Sequence, residues 1–236
     1  MSTTNSSPRE AMLGRIREAL KTIAPRPGHA HATEGTHTPP PRDGDFRPML
    51  PAVGQSWDEQ CQQFARNAEL LKATFKVLPN PAAAREEIQR IIREENWKRL
   101  ATHEHPFLQQ IVRDLGPAVV WADRPYPKME LESCDGAVTT CEALIAQTGS
   151  VLVTSRNCGG RAISILPPHH IVVASREQLL PDLLAAFALM RQKYGAHYPS
   201  MISFITGPSR TGDIERILVL GAHGPKRLTI LLMTGK

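Results

Sequence analysis

The stretch Lys76–Thr102, "KVLPNPAAAREEIQRIIREENWKRLAT", decides the fold class. It opens on a short strand. Asn80 then stands where a side-chain oxygen can accept the free N–H groups of a helix start, and Pro81 fills the first helical position, where its missing N–H costs nothing. Ile88, Ile91 and Ile92 share one helical face, and a second strand follows at about Arg99–Ala101. Strands joined through a helix run parallel, because only a long crossover returns the chain to the same edge. Working outward, "HPFLQQIVRDLGPAVVWA" (His105–Ala122) repeats the unit, with a helix closed by Gly116 and a strand at Ala118–Ala122. Upstream, Ser56 and Glu59 form a capping box, and Trp57, Phe64, Ala68, Leu71 and Phe75 make the buried side of a helix reaching about Phe75. Alternating strands and helices predict an α/β protein with a largely parallel sheet covered on both faces.

The second half is richer in strands. "GAVTTCEALIAQTGSVLVTS" (Gly136–Ser155) holds extended runs at Ala137–Cys141 and Ala143–Thr154, the latter broken by a hairpin or sharp bend at Thr148-Gly149. A strand is expected at about His170–Ala174 and a long helix over Glu177–Tyr194. Further strands are expected at Met201–Thr206, Arg216–Leu220 and Arg227–Met233, all in one mixed sheet. The front of the chain differs. Met12, Leu13, Ile16, Ala19, Leu20 and Ile23 give a short amphipathic helix, and Ala24–Gln55 carries proline and glycine with few large apolar residues. The expected organisation is therefore an N-terminal helix (1–23), a linker (24–55) and one α/β domain (56–236).

Composition bounds the function. Of 236 residues 41% are hydrophobic, 22% charged and only 5% aromatic, so a nucleic-acid surface built on base stacking has little material. The net charge of +5 comes without a basic block, which suits small anions or acidic partners better than DNA. No apolar run is long enough to span a bilayer and the N-terminus has no signal-peptide core, so a cytoplasmic protein is expected. The four cysteines, Cys61, Cys134, Cys141 and Cys158, form no CxxC pair, so no disulfide framework, zinc site or iron–sulfur site is expected. His29, His31 and His37 are read as solvated linker residues and not as metal ligands.

Ligands of open α/β sheets sit beyond the carboxyl ends of strands, which draws attention to "GPSRTGD" (Gly207–Asp213) after the Met201–Thr206 strand. Gly207 and Gly212 allow close backbone approach, Ser209 and Thr211 offer hydroxyls, Asp213 closes the loop, and Arg210 presents a fork suited to carboxylate or phosphate. The competing reading is a tight connection with Arg210 paired to Asp213 or Glu215. "GAHGPK" (Gly221–Lys226) sets His223 between glycines, including Gly224, as an acid, base or donor. In "RNCGGR" the two arginines, Arg156 and Arg161, either lower the Cys158 thiol pKa or, the better reading, simply help attract an anion to the loop. His169 and His170 point opposite ways if extended, so only one, His169, is expected to reach a pocket. Glu142 and Gln147 flank Thr148 and Gly149 and are read as polar residues on a half-exposed strand. Glu142, Glu215 and His223 remain the only catalytic candidates.

These residues carry a resemblance. "AQTGSVLV" (Ala146–Val153), "RAISILPPHHIVV" (Arg161–Val173), "GPSRTGDIE" (Gly207–Glu215) and "GAHGPKRLTILL" (Gly221–Leu232) together resemble the lactate-utilisation protein C family, whose shared region is the LUD domain. Gln147 stands where that family typically has an acidic residue, and Gly212 where it often has alanine. The resemblance implies a three-layer α/β fold similar to the ribose-phosphate isomerase, CoA-transferase and formyltetrahydrofolate cyclo-ligase group. It further implies a part in oxidising L-lactate to pyruvate beside two partner proteins that carry iron–sulfur clusters. Having no cluster-ligand pattern, this chain is expected to bind no cofactor of its own, only a small carboxylate or phosphate-containing ligand at Ser209, Arg210, Thr211 and His223. Against that stand two alternatives: a non-catalytic assembly or regulatory module docking through its N-terminal helix and linker, and an independent isomerase or CoA-transferase-like enzyme.

Overall fold

The computed structural model describes residues 8–21, 50–124, 128–211, 219–221 and 223–235. The chain divides into two units, Met1–Arg47 and Pro48–Lys236. The first contributes one described element, helix α1 (Pro8–Lys21), whose Met12 and Ile16 are exposed. The rest of the expected linker up to residue 49 lies outside the described residues. Residues 50–55, assigned by sequence to that linker, instead lie along helix α2 (Trp57–Leu70): Gln60 Nε2 donates to the Gly54 carbonyl (3.0 Å) and Gln63 Nε2 to that of Ala52 (2.8 Å).

The second unit is built on a six-stranded sheet whose paired strands all run parallel. Its strands are β1 (Thr74–Leu78), β2 (Arg99–Thr102), β3 (Ala118–Trp121), β4 (Gly136–Thr139), β7 (His169–Ser175) and β12 (Arg227–Met233), in the order β1-β12-β7-β4-β2-β3. Helix α3 (Pro81–Glu94) starts where expected, with Asn80 Oδ1 accepting from the Ala83 N–H (2.9 Å). With α4 (Pro106–Val112) it covers one face, burying Ile88, Ile91, Leu108 and Ile111 on Leu100, Val138, Ile171, Val173 and Leu231. The alternate residues Val172, Ala174, Leu228, Ile230 and Leu232 point to the opposite face. That alternation explains why β7 and β12 read as unbroken apolar runs: both faces are covered.

The opposite face departs from the expectation of one mixed sheet. There, beside α2 and the short α5 (Lys128–Glu132), lies a separate four-stranded sheet made of β5 (Ala143–Ile145), β6 (Ser150–Thr154), β8 (Leu179–Leu180) and β9 (Ile202–Ile205), ordered β8-β5-β6-β9. Thr148-Gly149 makes the expected bend, and β5 and β6 pair antiparallel across it. The second sheet buries Leu144, Val151 and Val153 against the first, and Ala143, Ile145 and Leu152 against α6 (Leu183–Tyr194). That helix is shorter than its apolar pattern suggests: Leu179 and Leu180 pair with β5, and α6 starts only after Pro181, with Asp182 Oδ1 accepting from the Ala185 N–H (2.7 Å). The expected strand Arg216–Leu220 is described only as β11 (Val219–Leu220), which pairs antiparallel with β10 (Arg210–Thr211). No helix among the described residues is long and apolar enough to cross a membrane.

Candidate functional site

The stretches around Gly207–Thr211 and His223–Lys226 lie at the amino end of the main sheet. β9 belongs to the second sheet, so the chain leaving its carboxyl end runs back through β10 and β11 toward the start of β12, where the Lys226 N–H donates to the Pro168 carbonyl (2.8 Å). Two groups of the candidate residues form there. Thr148, Gly149, Gly207 and Arg210 gather at the carboxyl end of α2. A side-chain carbon at Gly149 would lie 2.7 Å from Asn67 Cβ, one at Gly207 would lie 2.7 Å from the Leu71 carbonyl oxygen, and both glycines have positive φ (66° and 92°). Arg210 donates to the Leu71 carbonyl (2.9 Å), satisfying the end of the helix and complementing its dipole. The Thr148 hydroxyl is buried with no partner.

Ser209, Gly224 and His223 form the second group. Gly224 packs on the Ser209 side chain, and exposed His223 lines a cleft of about 380 Å³ with Lys226, Glu132 and Leu166. His169, in a neighbouring cleft of about 200 Å³, is fully engaged: Nδ1 meets the Glu95 carboxylate (3.0 Å), Nε2 meets Thr229 Oγ1 (2.9 Å), and Arg227 pairs with the same Glu95 (2.5 Å). Arg161 is exposed on its loop, Thr211 lies in β10, and Asp213 and Glu215 lie outside the described residues.

The opposite, carboxyl-terminal edge brings Glu142 and the Arg156–Arg161 loop, both raised by sequence, together with His103, Thr140, Lys193 and Tyr194, which sequence reading missed. After β2 the chain crosses through α4 on one face, and after β4 it crosses through the second sheet on the other, so strand order reverses between these neighbours. Such a switch point opens a crevice at the strand ends. His103 follows β2 and Thr140 follows β4. The Thr140 N–H donates to His103 Nε2 (3.2 Å), and its hydroxyl donates to the Asn157 carbonyl (3.2 Å), pinning the 155–161 loop across both strand ends. Gly159 has positive φ and leaves room for His103, whose Cβ would be 2.9 Å from an added side chain. Burial holds the His103 pKa down at about 4, with His105 pushing the same way, so the ring is neutral near pH 7. His105 caps α4 by accepting the Phe107 N–H on Nδ1 (3.3 Å), which leaves the proton on Nε2.

Glu142 lies at the centre of this edge. It is not half-exposed as expected: its side chain is 1% exposed and accepts from Thr154 Oγ1 (2.6 Å), Lys193 Nζ (2.5 Å) and the Tyr194 hydroxyl. Burial alone would raise its pKa. The Lys193, Thr154 and Tyr194 hydrogen bonds outweigh that and hold the carboxyl below its ordinary value, so it is ionised. Tyr194 is pushed up to about 12 by burial and by its bond to Glu142, and its oxygen accepts from Asn157 Nδ2 (2.9 Å). Both Glu142 oxygens are therefore engaged, the arrangement of a charge anchor and not of an exposed nucleophile. Cys158 is buried and its thiol pushed up to about 12, chiefly by burial, which overturns the reading of a thiol activated by arginines. Among the described residues no cluster of His, Cys, Asp and Glu is placed to hold a metal ion.

Beyond Glu142 and the Arg156–Arg161 loop, the sequence trace of this edge was its polarity: "ATHEH" after β2 and "TTCE" after β4 interrupt apolar strands with groups that must be satisfied once buried. Comparison with known proteins gives a consistent set. Residues 61–233 match the LUD domain family. A lactate utilization protein C of Anoxybacillus flavithermus is 28% identical over 96% of this chain and 100% of its own length. One from Oceanobacillus iheyensis is 25% identical over 91% of this chain and 96% of its own. That of Bacillus subtilis is 34% identical over 44% of this chain and 45% of its own. The crystal structure of a DUF162 family protein from Deinococcus radiodurans shares the fold, with a TM-score of 0.60 at 18% identity over 76% of this chain and 99% of that one.

Proposed function

Because this chain belongs to the LUD domain family, we propose that it serves L-lactate use as the cluster-free subunit of an iron–sulfur system oxidising L-lactate to pyruvate, binding a small carboxylate or an anionic cofactor. One observation carries the reading: the end-to-end correspondence with the Anoxybacillus flavithermus protein named for lactate utilisation. The clusters belong to two partner proteins in this reading, and the share of this chain is to bind and orient the acid. The switch point between β2 and β4 favours that role, since open α/β sheets bind ligands there and Lys193, whose charge is felt at His105, brings an exposed ammonium to it.

Purifying the tagged full chain from cells growing on L-lactate tests the proposal. The expected result is lactate-dependent dye reduction in the eluate that disappears when this chain is depleted; activity that survives depletion, or a chain that elutes alone and inactive, overturns it. A second location for the ligand is the cleft beside Ser209, His223 and Gly224, favoured by the Lys226 ammonium in its lining. Lys226→Gln discriminates: a loss of carboxylate affinity moves the ligand there, and unchanged affinity leaves it at the switch point.

A further inference from the structure

The charges at the switch point can be counted. Lys193 Nζ lies 2.5 Å from a Glu142 oxygen and 5.8 Å from the Tyr194 ring centroid, yet the side chain is 43% exposed, so one ammonium touches both the buried carboxylate and solvent. The Arg156 guanidinium stands 5.3 Å from the same ring centroid, and no carboxylate among the described residues pairs with it. His105 is kept neutral near pH 7 by burial and by the Lys193 charge. Two cations thus lie against one aromatic ring whose hydroxyl bonds one fixed carboxylate, and these three charges leave a surplus of a single positive charge.

We propose that Arg156 and Lys193, flanking Tyr194, form a binding site for a singly charged small carboxylate, and that the buried Glu142 sets its preference for one negative charge over two. Lys193 and Arg156 supply the charge-assisted donors, and Asn157, held by its bond to the Tyr194 hydroxyl, borders the site. Glu142 is a positioning residue: it fixes the ammonium and cancels one of the two positive charges. A dianion such as inorganic phosphate meets a site short of one positive charge and is disfavoured. The inference deepens the reading that this chain binds a small carboxylate and rests on it.

Calorimetric titration of the full chain at pH 8.5, where inorganic phosphate is almost wholly the dianion, with L-lactate, pyruvate, acetate and inorganic phosphate tests it. The expected result is carboxylate binding stronger than phosphate binding. Arg156→Gln and Lys193→Gln should each weaken the carboxylates about ten-fold or more, the loss expected for a charge-assisted hydrogen bond. Glu142→Gln should shift the ratio of affinities toward phosphate, a change that a merely structural role for Glu142 does not produce. If that variant does not fold, the exposed Arg156 decides alone. Binding of none of the four ions, carboxylate affinity within two-fold of the parent in both cation variants, or an unchanged carboxylate-to-phosphate ratio in a folded Glu142→Gln protein overturns the proposal. Acetate or pyruvate binding with these dependences but no L-lactate binding keeps the site and removes lactate as its ligand. L-lactate binding that ignores Arg156 and Lys193 but is lost in Lys226→Gln keeps lactate and overturns this site.

Discussion

His103 and His170 are buried neutral imidazoles, and acid must break them. Burial brings their pKa values to about 4 and about 3, from an unfolded value near 6.5; His170 holds only Thr139 through Nε2 (2.8 Å), its Nδ1 unpartnered. A depressed histidine pKa means that below pH 6.5 the unfolded chain takes up protons that the native one refuses. The stability contributed is therefore complete above pH 6.5 and lost as pH falls toward 4 and 3. Each histidine should lower unfolding stability by about 1 kcal/mol per pH unit in that window. Urea midpoints at pH 7.0, 5.5 and 4.5 check this; a flat profile would show that the rings are accessible to protons. The thiols give a second prediction at the same scale. All four cysteines are buried and free, so a disulfide reagent should label none of them in the native protein within minutes and all of them in denaturant, whereas rapid native labelling of Cys158 would restore the activated-thiol reading. Glu142 shows why residue fates were hidden. Its burial depends on Lys193 and Tyr194, over fifty positions away, and no local pattern states that a helix will cover that strand.

Elements were legible where local chemistry defines them. The Ser56–Glu59 capping box, with Ser56 accepting the Glu59 N–H (3.2 Å), and the Asn80 cap with Pro81 mark α2 and α3. Boundaries set by pairing were not: Leu179 and Leu180 carry a helical apolar spacing, but β5 offers backbone partners and Pro181 stops the pattern. The glycines at 149 and 207 also acquire their meaning from an element. They admit the end of α2, with Asn67 Nδ2 donating to the Ala146 (2.8 Å) and Gln147 (3.0 Å) carbonyls. Gly149→Ala and Gly207→Ala each combine positive φ with a contact under 3 Å, and each should destabilise by about 1–3 kcal/mol. Chemical denaturation measures this, and a loss below a few tenths of a kcal/mol for both would mean that α2 shifts without cost. Arg210, which bonds the carbonyl of Leu71, the residue that caps the end of that helix, has a structural task whether or not it also meets a ligand.

For the whole molecule, the body begins before the expected boundary at residue 56. Gln147 Nε2 donates to the Pro51 carbonyl (2.9 Å), and the Gln55 N–H donates to Glu59 Oε2 (2.7 Å). A chain starting at Ser56 should be about 1–3 kcal/mol less stable than one starting at Pro48, since the buried Gln147 amide loses its acceptor. Equal stabilities would place the boundary back at 56. The sequence by itself determined the α/β class, the parallel strand–helix–strand units, the caps and the family, because each is written in residues close along the chain: periodicity, cap chemistry and contiguous motifs. Only the tertiary structure decided that β5, β6, β8 and β9 form a sheet of their own, that the loops around Gly207 and His223 face the amino end of the main sheet, and that His103, Thr140, Glu142, Asn157 and Lys193 meet. Those facts depend on strand order, which is set by the burial of two sheet faces at once, a property of the folded whole that no window of sequence contains.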